Sequence, residues 1–164
     1  MSSSIPVAKN GTPIFPVNSS VTWDNGFGGT AAAIKVTKVL VDHASHAALN
    51  AAATTDSGNL YIQPANSILL GAYYRLDEQF AATGLTDLDV EVGLSGDNNG
   101  LLAATGNLKS DAVGTYYRTI GAYGVPLYEA AATTWVLYVT ATGANLSTLT
   151  AGTISFYFIT LETS

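Results

Sequence analysis

The sequence predicts an all-β fold, a single antiparallel β-sandwich or jelly roll of about eight strands over residues 21–164, entered by an extended N-terminal arm over residues 1–20. Two observations carry that prediction. First, two adjacent runs, Thr133 to Ala141 and Thr153 to Leu161, alternate with period two and are filled with β-branched and aromatic residues. Trp135, Leu137 and Val139 share one face of the first, and Ile154, Phe156 and Phe158 share one face of the second. Second, short runs of the same kind recur between clusters of Gly, Asn and Pro, whereas only His43 to Ala53 has the alanine content of a helix. The opposite faces of both terminal runs are also fairly apolar, so at least one of these strands is expected in the middle of a sheet covered on both sides.

The arm is set apart by composition. Pro6, Pro13 and Pro16 are three of the chain's five prolines, and each fixes φ and removes a backbone donor, which excludes helix. Ile5, Val7, Ile14, Phe15 and Val17 are too apolar for a purely solvated tail, so the arm is expected to dock through Ile5, Pro6, Val7, Ile14, Phe15 and Pro16. At about 3.3 Å per residue, residues 2–21 reach up to roughly 65 Å, several times the radius of gyration of roughly 15 Å expected for the compact chain. Trp23 to Gly29 then reads as a turn-rich connector, because Asn25-Gly26 and Gly28-Gly29 supply positive φ. Its Gly26-Phe27-Gly28 lacks the third glycine, the Lys-Ser/Thr and the following helix of a phosphate loop.

Ala32 to Asp42 reads as a long strand, with Ile34, Val36 and Leu40 on one face and Lys35, Thr37, Val39 and Val41 on the other. One or two helical turns are expected over about Ser45 to Ala53. Strands follow at Asn59 to Gln63 and Ser67 to Phe80, joined by a Pro64-Ala65-Asn66 turn, and at Leu88 to Leu94, whose Asp89 and Glu91 extend a carboxylate row begun by Asp87. Ser95 to Gly100 reads as a turn, and strands are expected at Leu101 to Thr105 and Thr115 to Ala122.

The chemistry-bearing residues assemble no recognisable site. With no cysteine there is no thiol catalysis, disulfide or thiolate metal site. Asp42, His43 and His46 fall on one turn without a second carboxylate, and Asp97, Asn98 and Asn99 lack the spacing and closing Glu of a calcium loop, so no metal or cofactor is expected. Gly93-Leu94-Ser95-Gly96-Asp97 carries Asp97 where a hydrolase elbow needs glycine, and both histidines sit together elsewhere. The protein is therefore expected not to be an enzyme. A net charge of −6 with only six scattered Lys and Arg argues against nucleic acid, and the absence of a long apolar run argues against membrane insertion. The N-terminus reads as lacking a signal peptide, so no export is expected. Charged residues are 11% of the chain against about 25% in typical domains, which fits a surface partly hidden in an assembly.

Several stretches together, Ile62 to Leu70, Arg75 to Phe80, Val90 to Gly93, Asp97 to Leu102 and Leu149 to Ile159, resemble small structural proteins of tailed bacteriophages, namely capsid decoration or cement proteins with β-sandwich or jelly-roll folds. The resemblance spans roughly residues 60–162 and implies a non-enzymatic virion protein on the capsid surface, with the major capsid protein as partner and a homo-oligomer, a trimer on three-fold lattice sites, as its state. The competing expectation is a fibre or adhesion module that recognises host carbohydrate, motivated by nine Tyr and two Trp.

Overall fold

The computed structural model describes residues 20–23, 32–104, 106–117 and 121–163. Among them are ten strands: β1 (Ser20–Trp23), β2 (Ala32–Asp42), β3 (Thr55–Gln63), β4 (Ser67–Ala81), β5 (Asp87–Leu94), β6 (Asp97–Leu102), β7 (Tyr116–Tyr117), β8 (Leu127–Glu129), β9 (Thr133–Thr142) and β10 (Ala151–Thr163). One antiparallel sheet has the order β1-β2-β10-β4-β7, with β8 also pairing β4, and the other has the order β3-β9-β5-β6. From β2 onward the chain crosses between sheets at almost every connection. With β7 and β8 taking successive lengths of the same edge of β4, this is an eight-position jelly roll with β1 added at its edge. No helix among the described residues is long and apolar enough to cross a membrane.

The alternation read in the sequence sets the core. Trp135, Leu137 and Val139 of β9 and Leu88, Val90 and Val92 of β5 point inward, opposite Ile154, Phe156 and Phe158 of β10 and Tyr74 and Leu76 of β4. All are essentially sealed from water, and Tyr61 of β3 stacks on Phe158 with ring centroids 4.3 Å apart. β10 is the spine, bonded along its length to both β2 and β4.

One buried polar group stitches the layers together. Gln63, fully buried at the end of β3, accepts a hydrogen bond from Trp135 Nε1 at 3.1 Å. Its Nε2 donates to the carbonyls of Ser67 and Leu127 on the other sheet, at 3.3 and 3.4 Å. The Pro64–Asn66 corner that makes this possible has Asn66 at φ 55, a left-handed conformation that Asn tolerates.

Three expectations are corrected. The Ala-rich stretch forms only a three-residue 3₁₀ turn, Ala47–Leu49. Helix cannot continue through Ala53, because the carbonyls of Ala51 and Ala53 accept from Ser147 and Leu146 of a neighbouring turn, while Ala48 and Leu49 are buried. The Asx-rich stretch is mostly strand, since Asp97–Leu102 pairs with β5 as a hairpin arm and the turn shrinks to Ser95-Gly96, with Gly96 at φ +91. The expected Thr115–Ala122 strand is limited, among the described residues, to Tyr116–Tyr117, and Ala122-Tyr123 form a turn that returns the Tyr123 backbone amide to the Gly100 carbonyl. Of the remaining expectations, the arm through Ser19 and the connector beyond Trp23 lie outside the described residues.

Candidate interaction surface

Because opposed residues of an antiparallel pair point to the same face, the register assigns the outer surface of the six-stranded sheet. On β10 it carries Thr153, Ser155, Tyr157 and Ile159. Opposite them lie Asp42, Leu40, Lys38 and Val36 of β2 and, from Ser155 onward, Arg75, Tyr73 and Gly71 of β4. Tyr116 of β7 stands opposite Arg75. The Ile34, Val36 and Leu40 face identified in the sequence is therefore the outer face, while Thr37, Val39 and Val41 turn to the core. Leu40 is 57% exposed and Tyr116 59% exposed, so the surface has substantial apolar content in contact with water.

A ladder of rings crosses this face at right angles to the strands. Lys38 Nζ lies 5.8 Å from the Tyr157 ring centroid. Tyr157 stacks on Tyr73 at 4.7 Å and 9°, Tyr73 meets Tyr116 at 5.9 Å and 49°, and the Arg75 guanidinium closes the row 5.8 Å from the Tyr116 centroid. Four strands supply it, β2, β10, β4 and β7 in spatial order. Arg75 is aimed by Asp77, whose Oδ1 accepts from Arg75 Nε at 2.6 Å and whose Oδ2 accepts from the fully buried Ser155 hydroxyl. Burial raises the Tyr73 pKa, with Tyr157 and Tyr116 adding to the effect, so its hydroxyl stays neutral at physiological pH.

The outer surface of the four-stranded sheet has a different character. Asp87, Asp89 and Glu91 of β5 lie beside Thr142, Thr140 and Tyr138 of β9, which in turn face Thr55 and Ser57 of β3. Asn98 donates to Glu91 and the Tyr138 hydroxyl donates to the Leu94 carbonyl at 2.8 Å. Partial burial raises the Asp89 pKa, and Asp87, Glu91 and Asp111 push it further. The sandwich thus presents an aromatic, apolar side and an acidic, threonine-rich side.

The residues weighed for chemistry are placed as follows. His46 Nδ1 accepts from the Ala48 amide at 3.3 Å, so this histidine caps the 3₁₀ turn, and His43 Nδ1 lies 3.7 Å from Asp42 Oδ2. Among the described residues no three His, Asp or Glu side chains gather as a metal site. Ile5, Pro6, Val7, Ile14, Phe15 and Pro16 lie outside the described residues. The sequence reading missed the ladder, whose rings come from Tyr73, Tyr116 and Tyr157 on three strands brought together by sheet order alone.

With this geometry established, two solved structures are similar in fold. A chain of the cyanophage Pam1 capsid asymmetric unit matches at a TM-score of 0.56 and 17% identity, over 87% of this chain and 91% of that one. It is a fold found in a phage capsid. A chain of the capsid of Ralstonia phage GP4 matches at a TM-score of 0.47 and 20% identity, over 80% and 85% of the two chains. No family profile and no curated protein sequence matches the chain.

Proposed function

We propose that this protein is a non-enzymatic virion structural protein, a decoration or cement protein that binds and stabilises the outer surface of a bacteriophage capsid. The observation that carries this reading is the two-sided sandwich, with an aromatic, apolar outer face on one sheet and an acidic face on the other, in a fold shared with a phage capsid chain. An aromatic face suits a protein partner, because aromatic groups are enriched and most charges depleted at interface cores. An acidic face stays hydrated. The major capsid protein is the proposed partner, with a homotrimer at three-fold lattice positions as the assembly. The arm, through Ile5, Pro6, Val7, Ile14, Phe15 and Pro16, is proposed as the tether, its modest contacts multiplied by effective concentration across the oligomer.

The carbohydrate-binding alternative needs free ring faces for sugar to stack on. In the ladder both faces of Tyr157 are occupied, by Tyr73 and Lys38, and Tyr73 lies between Tyr157 and Tyr116. This geometry favours a protein contact over a glycan platform.

The test is sedimentation with purified capsids that lack the protein. Saturable co-sedimentation and a higher capsid disruption temperature are expected, and deleting residues 2–18 is expected to weaken binding while leaving the sandwich folded. Saturable binding to a glycan array, with none to capsids, would overturn the proposal.

A further inference from the structure

We propose that His46 is an acid-sensitive latch that holds the 43–50 turn against the inner face of β3, and that its protonation frees this turn and opens the core beneath it while the rest of the sandwich stays folded. The inference concerns this chain alone and stands apart from the cement reading.

The latch is built from both sides. The connection from β2 to β3 passes from one sheet to the other, and the 3₁₀ turn within it buries Ala48 and Leu49 in the core. On β3, Gly58 stands opposite the fully buried Leu137 of β9, so it shares the inward face. A Cβ on Gly58 would meet His46 Cε1 at 3.1 Å and Ala48 Cβ at 3.5 Å, so the turn lies close on the strand where the strand has no side chain. The imidazole then bonds in two directions. Its Nδ1 accepts from the Ala48 amide at 3.3 Å, which leaves the proton on Nε2 to donate to the Asn59 backbone of β3. Only a neutral ring can make both bonds.

Protonation turns Nδ1 into a donor facing the Ala48 N–H, so the cap is lost and a positive charge is left half-buried over Gly58. No nearby carboxylate is arranged to receive that charge. On the same connection, Asp42 accepts from the Ala44 amide through Oδ1 at 2.9 Å, and its Oδ2 lies 3.7 Å from His43 Nδ1 and 3.3 Å from the Thr153 hydroxyl. On β3, Asp56 Oδ1 accepts from the Ser57 amide at 2.8 Å. Of the other elements packed on the turn, β9 brings only Tyr138, whose hydroxyl donates to the Leu94 carbonyl, and the Leu146–Thr148 turn brings no titratable group.

The sign follows from the two states of the ring. Burial lowers the latched pKa more than the Asn59 bond raises it, whereas a freed imidazole titrates near the ordinary 6.5. Opening therefore gains as pH falls below 6.5 and levels off below the latched value. The spine formed by β2, β10 and β4 makes none of its backbone bonds through this ring, so it has no part in the change.

The test is amide hydrogen exchange read by NMR on the full chain at pH 7.5 and 5, expressed as protection factors so that the intrinsic pH dependence divides out. Protection of Ala48, Leu49 and Asn50 is expected to fall several-fold at pH 5 relative to that of Phe156 and Phe158 in β10. His46→Asn is expected to abolish that relative fall, and His43→Asn to keep it. A ratio unchanged by pH in the unaltered protein overturns the proposal, as does a fall shared equally by the turn and β10. A fall that persists in His46→Asn, or disappears in His43→Asn, overturns it as well.

Discussion

Gln63 offers the sharpest test of how the jelly roll is held. Gln63→Leu nearly conserves volume but removes the acceptor for Trp135 Nε1, which lies in a fully buried ring with Gln63 Oε1 as its partner at 3.1 Å. Stranding a buried donor costs about 1–3 kcal/mol, whereas the two bonds from Gln63 Nε2, at 3.3 and 3.4 Å, are long and add little. The expected loss is about 2 kcal/mol, or about 4–8 °C in the midpoint for a chain of this size. Urea unfolding of Gln63→Leu, Trp135→Phe and the double variant closes a mutant cycle. Because the double variant removes both the donor and the acceptor, its cost should fall short of the sum by about 1–2 kcal/mol. Additivity within about 0.5 kcal/mol would show that the bond is not a coupled interaction and refute the reasoning.

Three further perturbations read other parts of the fold. Gly152 has φ +130 and a Cβ there would enter the ring of Phe80, which is 1% exposed; Gly152→Ala should cost about 1–3 kcal/mol in urea unfolding, and an unchanged midpoint would contradict the packing. Burial depresses the His46 pKa below 6.5, against a smaller opposing effect from its bond with the Asn59 backbone, so its stabilisation is present above pH 6.5 and lost as pH falls through the folded value. The thermal midpoint should drop on acidification from pH 7.5 to 5, and His46→Asn, which keeps a capping acceptor, should flatten that drop. Asp89 has a raised pKa, so its favourable contribution exists below about pH 3.8 and is lost as pH rises through the folded value. Asp89→Asn should therefore raise the midpoint at pH 7 by about 1 °C, the scale of a largely solvated charge, with the gain vanishing in acid.

Where one face of a strand is buried, the sequence was a direct record of the structure. Leu88, Val90 and Val92, Trp135, Leu137 and Val139, and Ile154, Phe156 and Phe158 all alternate as the core requires. β2 shows the limit of that record. Both of its faces are apolar, so parity correctly grouped Ile34, Val36 and Leu40, yet only pairing with β10 shows that this group faces outward. The Asx-rich stretch misled for a related reason. Asp97 to Gly100 have turn propensity, but hairpin pairing to β5 overrides it, and Gly100 is needed because the Tyr123 ring occupies the space of its Cβ. Gln63 reads as an ordinary polar strand end until Trp135 is placed beside it, 72 residues further along the chain.

The candidate surface was illegible for a deeper reason. A tyrosine in a strand reads equally well as core or surface, and here Tyr74 is 1% exposed whereas its neighbour Tyr73 joins the outer ladder. What distinguishes them is parity against a partner strand more than 80 residues away, and the ladder exists only because the jelly-roll order sets β10 between β2 and β4. The same order sends the carboxylates of β5 to the opposite side of the molecule. A low overall charge alone predicts some hidden surface. The topology adds which surface: the charges within the ladder are held internally, Arg75 by Asp77 and Lys38 over Tyr157, and the carboxylates of Asp42 and Glu78 stand apart at the Thr153 row, so an apolar contact over the rings need not strip a free carboxylate of its water, as it would over Asp89 and Glu91.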